Sequence, residues 1–131
     1  MYSLLKVSGP PLSLVQSSKH ENMMKITWEH PEVSNGNVLE YHVTATPVSS
    51  YSLSTVALPM EWIFPNSTTT VDLLGLQPGT RYNVTVKAKT MDGYGLPISA
   101  VYNTEIGGNQ AVAKVMKSSS FYQILLLTFS S

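Results

Sequence analysis

The chain has 131 residues, of which 43% are hydrophobic, so it is long enough to form one domain with a buried core. Eight basic residues balance eight acidic ones, which excludes the strong positive field of a nucleic-acid-binding or membrane-surface protein. The absence of cysteine excludes disulfides, zinc–thiolate sites and thiol catalysis.

Alternation of apolar and polar residues predicts β-strands along most of the chain. Between residues 22 and 29, apolar side chains alternate with Lys25 and Thr27, which is the pattern of a strand with one buried face. Asn35 and Gly36 predict a turn, because both residue types tolerate positive φ. Turn residues recur about every dozen positions, which favours a β-sandwich over a βαβ fold. The predicted strands are 11–18, 22–29, 37–46, 60–64, 69–74, 80–90 and 97–106.

The segment 73–88 carries the most specific pattern in the chain. It contains the end of one strand, a turn at Pro78 and Gly79, and a second strand in which Tyr82 and every second residue after it face the same side. A tyrosine two residues after a Pro-Gly-Thr turn suggests a tyrosine corner. We therefore expect the ring of Tyr82 to fill the core and its hydroxyl to bond to upstream backbone.

Further short motifs occur in a consistent order along the chain. They are Pro10-Pro11 before the first strand, Trp28 and Pro31, Val38 with Tyr41 and Val43, the group Leu73, Leu76, Pro78, Thr80 and Tyr82, and Gly93, Gly95 and Pro97. In this order and spacing they resemble the fibronectin type III domain over residues 9–107. The missing cysteine pair argues against an immunoglobulin domain proper, whose sheets are usually bridged by a disulfide packed on a tryptophan.

The resemblance implies the fold class and the core. The expected fold is all-β, a seven-stranded antiparallel β-sandwich with immunoglobulin-like, fibronectin type III topology. The residues expected in its structural core are Trp28, Tyr41, Leu73, Leu76 and Tyr82.

Segments at both ends, and one within the chain, depart from this pattern. Residues 1–8 lack the features of a signal peptide and are interpreted as a linker or flanking segment. The Ser-rich stretch 47–59 predicts a long solvated loop. In the tail 108–131, the apolar run 121–129 is shorter than the roughly 20 residues of a membrane span. We interpret this tail as disordered or truncated; a truncated transmembrane start, an alternative splice end and an aggregation-prone tail remain open.

Residue patterns predict no catalytic, cofactor-binding or metal site. His20, His30 and His42 lack the spacing and carboxylate partners of metal ligands, so surface positions are expected. No Gly-x-Ser-x-Gly motif positions a serine nucleophile, and the carboxylates are scattered. The glycines around Tyr94 predict a tight β-turn, because no helix follows them to form a phosphate site.

Aromatic residues outside the predicted core are candidates for protein contacts. Trp62 and Phe64 lie on a short edge strand. They either cover the sheet edge as a satellite cluster or form a docking patch, since aromatic residues are enriched at binding hot spots. Tyr94, at the tip of the loop before the last strand, is a further candidate, because domains of the resembled family often bind through such loops. The chain contains no Arg-Gly-Asp motif.

Two Asn-x-Ser/Thr triplets predict glycosylation. Asn66 falls on a predicted exposed turn, and Asn83 falls on the outer face of the strand 80–90. Both positions leave room for a glycan, which favours an extracellular location.

The sequence therefore predicts a non-catalytic extracellular fibronectin type III module of a cell-surface receptor or adhesion protein. Its expected partners are proteins or neighbouring domains of the same chain, with no nucleic acid and no membrane insertion by the domain itself. Two alternatives remain, an accessory module of a secreted enzyme and a structural module of an intracellular filament, because this sandwich hosts many functions.

Overall fold

Strands form where apolar and polar residues alternate, and they account for most of the described chain. The computed structural model describes residues 7–51 and 57–106. These residues form eight strands: β1 (Leu12–Lys19), β2 (Met23–Glu29), β3 (Glu40–Ser50), β4 (Met60–Pro65), β5 (Thr70–Leu74), β6 (Thr80–Thr90), β7 (Gly93–Tyr94) and β8 (Ile98–Asn103).

The strands form two antiparallel sheets that face each other as a sandwich. One sheet has the order β1-β2-β5, and the other has the order β4-β3-β6-β7, with β8 also paired to β6. The predicted all-β sandwich is confirmed, although eight strands replace the expected seven. The additional strand is β7, whose two residues pair with Lys89 and Thr90 where the sequence predicted only a tight turn. In the part of the chain described here, no helix is long and apolar enough to cross a membrane.

The core lies between the sheets and receives alternate residues from both. The five side chains expected there are each at most 3% exposed. The ring of Trp28 meets the ring of Tyr41 edge-on, with 5.4 Å between centroids and 65° between planes. The buried residues of the core cluster are Leu14, Met24, Ile26, Trp28, Tyr41, Val43, Ala45, Val71, Leu73, Leu76, Tyr82, Val84, Val86 and Ala88.

The turn before β6 is the tyrosine corner predicted from the sequence. The hydroxyl oxygen of Tyr82 accepts a hydrogen bond from the backbone N–H of Gln77 at 2.9 Å, five residues upstream. Gly79 adopts a φ of 56°, a left-handed conformation that a residue without Cβ adopts at little cost. The Thr80 hydroxyl donates to the Pro78 carbonyl at 2.9 Å and closes the turn.

Replacing Tyr82 with phenylalanine tests this hydrogen bond. The ring stays in the core, and only the bond to Gln77 is lost, so the free energy of unfolding should fall by about 0.5 to 1.5 kcal/mol. Urea melts of the two chains measure the difference. Tyr94→Phe is the matched control, because its exposed hydroxyl lies 3.4 Å from His42 and should contribute little. Overlapping melts for wild type and Tyr82→Phe would contradict a stabilising corner.

The predicted end of the third strand at residue 46 is wrong, because β3 continues to Ser50. Two other predicted boundaries differ by three residues, since β3 begins at Glu40 rather than 37 and β8 ends at Asn103 rather than 106. The register shifts between Pro47 and Ser49, and pairing with β6 resumes there until Ser50 lies opposite Thr80. Proline is tolerated because the pairing with β4 ends at Ala45, so Pro47 has a neighbouring strand on only one side. The expected loop of 47–59 is therefore shorter at its start, and residues 52–56 lie outside the described part.

Two residues just before the predicted start of the domain at residue 9 contact the sandwich. Ser8 is fully buried, and its carbonyl accepts a hydrogen bond from the backbone N–H of Leu96 at 2.9 Å. The side-chain amide of Asn35 donates to the Val7 carbonyl at 3.0 Å. Two residues of the segment interpreted as flanking therefore pack against the loops of the sandwich. Residues 1–6 and the predicted tail 108–131 lie outside the described residues.

Candidate protein-binding surface

The outer face of the five-stranded sheet carries most of the polar residues that the alternation pattern directs away from the core. In the register of the sheet, His42 lies opposite Ile63 on one side and Lys87 on the other. Lys89 lies opposite Tyr94 of β7. Residues opposite one another in a sheet point to the same side, so these side chains share one surface.

A cluster of cationic and aromatic side chains forms at one end of this face. We call His42, Lys87, Lys89 and Tyr94 the cation–aromatic cluster. Lys87 Nζ lies 4.6 Å from the centroid of the Tyr94 ring, and Lys89 Nζ lies 5.3 Å from it. The imidazole of His42 packs against the same ring with 4.8 Å between centroids. Tyr94 is 42% exposed, so the cluster is open to solvent.

The lysines of this cluster have no carboxylate within ion-pair distance in the described chain. The ion pair found there joins Lys25 Nζ to Asp72 Oδ1 at 4.0 Å, on the other sheet. The ammonium groups of Lys87 and Lys89 are attracted to the electron-rich face of the tyrosine instead. This leaves two positive charges gathered over one ring.

Trp62 and Phe64 face the core and not the solvent. In the sheet register they lie opposite Val43 and Tyr41, both fully buried, and they pack half-buried against the core. This placement is the one expected of a satellite cluster that covers the sheet edge. Ile63, between them, points outward and is 59% exposed.

The two predicted glycosylation positions occupy different surroundings. Asn66 is exposed just after β4, and its side-chain nitrogen donates to the Val38 carbonyl at 2.9 Å. Asn83 is half-buried in the middle of β6, opposite Thr46 and Val101 of the adjacent strands. Both lie on the surface of the domain.

The histidines are separate from one another in the fold. His20 and His30 are exposed, and His42 is half-buried in the cluster. Within the described residues, no group of three or more histidine and carboxylate side chains is placed to hold a metal ion.

His30 Nδ1 forms a hydrogen bond with the buried Tyr41 hydroxyl. Burial raises the pKa of Tyr41, and the nearby indole of Trp28 offsets part of this rise. Trp28 Nε1 is buried without a hydrogen-bond partner among described residues, so we interpret its contact with Tyr41 mainly as ring packing. The His30–Tyr41 hydrogen bond therefore joins an exposed imidazole to a buried ring of the core.

Comparison with known proteins agrees with this geometry. The model of the fibronectin type III domain matches residues 9–105. This chain belongs to the fibronectin type III family. Its relatives include ephrin type-B receptor 3 of Mus musculus, 36% identical over 86 residues, which cover 66% of this chain and 8% of the receptor. Protein sidekick-1 of Gallus gallus is 30% identical over 105 residues, which cover 73% of this chain and 4% of that protein.

Solved structures share the same sandwich. The fibronectin type III domain of human collagen alpha-1(XX) chain superposes with a TM-score of 0.63 at 26% identity, covering 81% of this chain and 93% of that domain. The FN5 domain of Drosophila Lar gives a TM-score of 0.61 at 24% identity, covering 77% of this chain and all of that domain. The likeness to Lar shows the fold. The fibronectin type III chain spans less than a tenth of the receptor and the sidekick protein that it matches.

Proposed function

We propose that this chain is a non-catalytic, extracellular fibronectin type III module of a receptor or adhesion protein. Its role is to space neighbouring domains and to present surfaces to protein partners. The observation that carries this proposal is family membership together with relatives in which the matching region is a small part of a much longer receptor. Such a module acts through its surface, because the space between its sheets is filled by side chains.

The distribution of exposed groups supports binding at the ends and edges of the sandwich. A glycan on Asn83 would stand in the middle of the outer face, since β6 is a central strand of the larger sheet. A partner would then be kept from lying flat on that face. The cation–aromatic cluster lies at one end of it, and the edge strand β4 presents Ile63 above the half-buried Trp62 and Phe64.

Expression through a secretory pathway tests the extracellular location. Directed to this pathway by a heterologous signal peptide, the chain should gain mass that an amide-specific glycosidase removes. Asn66→Gln and Asn83→Gln should each abolish one mass increment, because glutamine in place of asparagine destroys the Asn-x-Ser/Thr acceptor triplet. Mass spectrometry of the secreted protein measures the increments.

The matched control is Asn37→Gln, which changes an exposed asparagine outside any Asn-x-Ser/Thr triplet and should leave the mass pattern unchanged. Thr68→Ala and Thr85→Ala keep both asparagines but remove the hydroxyl residue of each triplet, so they should give the same losses. Secretion of folded chain with neither site occupied would remove the main local support for the extracellular location.

A further inference from the structure

The cation–aromatic cluster concentrates two positive charges, and neither lysine has a carboxylate within ion-pair distance among the described residues. Lys87 and Lys89 alternate along β6, so their backbones lie about 7 Å apart and their side chains leave the sheet on the same side. Both ammonium groups then converge on the ring of Tyr94. Like charges held this close repel one another, and an anion placed between them would lower that repulsion.

We propose that the cation–aromatic cluster binds the carboxylates of an acidic segment of a protein partner. This inference rests on the proposed function, since it names the chemistry of one partner of the module. Carboxylate side chains would neutralise the two ammonium groups, and the Tyr94 hydroxyl, 3.4 Å from His42 Nε2, offers a further polar contact beside them.

Neighbouring charges favour a short acidic segment over a long polyanion or a membrane surface. Glu40 lies directly opposite Lys89, and Glu61 lies opposite Thr44, so acidic residues border the cluster on the same face. The whole chain has a net charge of zero. A sulfated polysaccharide or an anionic bilayer covering the whole face would therefore meet repulsion from both Glu40 and Glu61, whereas a few carboxylates placed over the two ammonium groups would meet less of it.

Preorganisation of the lysines makes such binding favourable. Their side chains are half-buried, with their ammonium groups held over the Tyr94 ring, so they have less rotamer freedom to lose when a ligand binds. The opposing residues of β3 and β7 position the cluster from both sides of β6. The site is therefore built by three strands rather than by one flexible loop.

Titration of the isotopically labelled full chain with an acetylated, amidated tetraglutamate peptide tests the proposal. Amide resonances of His42, Lys87, Lys89 and Tyr94 should shift in a saturable manner. The shifts should weaken as ionic strength rises, because screening reduces attraction between exposed charges. A tetraglutamine peptide should cause no such shifts. Equal shifts from both peptides, or shifts distributed evenly over the chain, would overturn the proposal.

Charge-matched variants separate this site from the general charge of the protein. Lys87→Gln combined with Lys89→Gln should weaken tetraglutamate binding by about tenfold or more, since both ammonium groups are lost. Lys19→Gln combined with Lys25→Gln removes the same charge from the three-stranded sheet and should change the affinity by less than about twofold. Equal weakening by both pairs would overturn the proposal.

Competing ligands decide between the chemical sources of the anion. A heparin oligosaccharide and phosphatidylserine vesicles should each bind this face more weakly than tetraglutamate under the same conditions. Tighter binding of either one at the cluster would overturn the proposal, because the preferred ligand would then be a polyanion or a membrane surface and not an acidic protein segment. If the chain is secreted and glycosylated but shows no tetraglutamate shifts, the proposed carboxylate binding by the cluster is refuted and the proposed function of the module still stands. Failure of the glycosylation test alone would leave the titration result intact.

Discussion

Replacing Trp28 with alanine should lower the free energy of unfolding by about 3 to 5 kcal/mol. The side chain is 3% exposed and packs edge-on against Tyr41 in the centre of the sandwich. Its removal takes away a large buried apolar surface and leaves a cavity that the two sheets cannot close without moving. Domains of this size are typically stable by about 5 to 15 kcal/mol, so the variant should lose a large share of its stability, and a domain at the low end of that range would be close to unfolded.

Urea melts followed by fluorescence or circular dichroism measure this loss. Trp62→Ala is the matched control, because it removes the same side chain from a half-buried position at the sheet edge. Its expected loss is on the order of 1 to 2 kcal/mol, since less apolar surface leaves the protein interior. A loss below about 1 kcal/mol for Trp28→Ala would contradict its central position.

Replacing Gly95 with alanine should lower the free energy of unfolding by about 1 to 3 kcal/mol. An added Cβ would lie 2.7 Å from the Cβ of Ser8 and closer still to its carbonyl oxygen, which are distances that real structures do not contain. That carbonyl accepts the hydrogen bond of Leu96, so the adjustment would also disturb this bond. The cost is steric, because Gly95 lacks the positive φ found at Gly93.

A double-mutant cycle isolates this contact. Deleting residues 1–8 removes Ser8, so Gly95→Ala should cost less than about 0.5 kcal/mol in the shortened chain. Thermal or urea melts of the four proteins give the coupling energy. An equal cost in both backgrounds would show that Ser8 does not pack on Gly95, and the domain would then begin at Gly9 as the sequence predicted.

Local patterns predicted the strands well where one face of each is buried. The alternation of apolar and polar residues around Met24 and Tyr41 was sufficient to predict a strand at each position, because a strand with one buried face has a period of two. The tyrosine corner was also predictable, since Tyr82 and Gln77 are only five residues apart. The end of β3 was not predictable from Pro47, because local residue preference does not show that pairing with β4 ends at Ala45.

The candidate binding surface was predicted only in part. Tyr94 was identified as a candidate contact from its place in a turn, and the alternation directs His42, Lys87 and Lys89 outward. Their common surface depends on β7, a two-residue strand too short to leave a pattern in the sequence. For Trp62 and Phe64, composition left two alternatives open, and the register with β3 places both on the core side.

The sequence alone determined the positions of seven strands along the chain, the side chains that face the core and the corner at Tyr82, because these depend on periodicity and on contacts between residues close in the chain. Only the tertiary structure decided that Ser8 packs beside Gly95 and that two lysines converge on Tyr94. These contacts join residues from separate strands and loops. They depend on how sheets twist and pair, which no local pattern of residue types specifies.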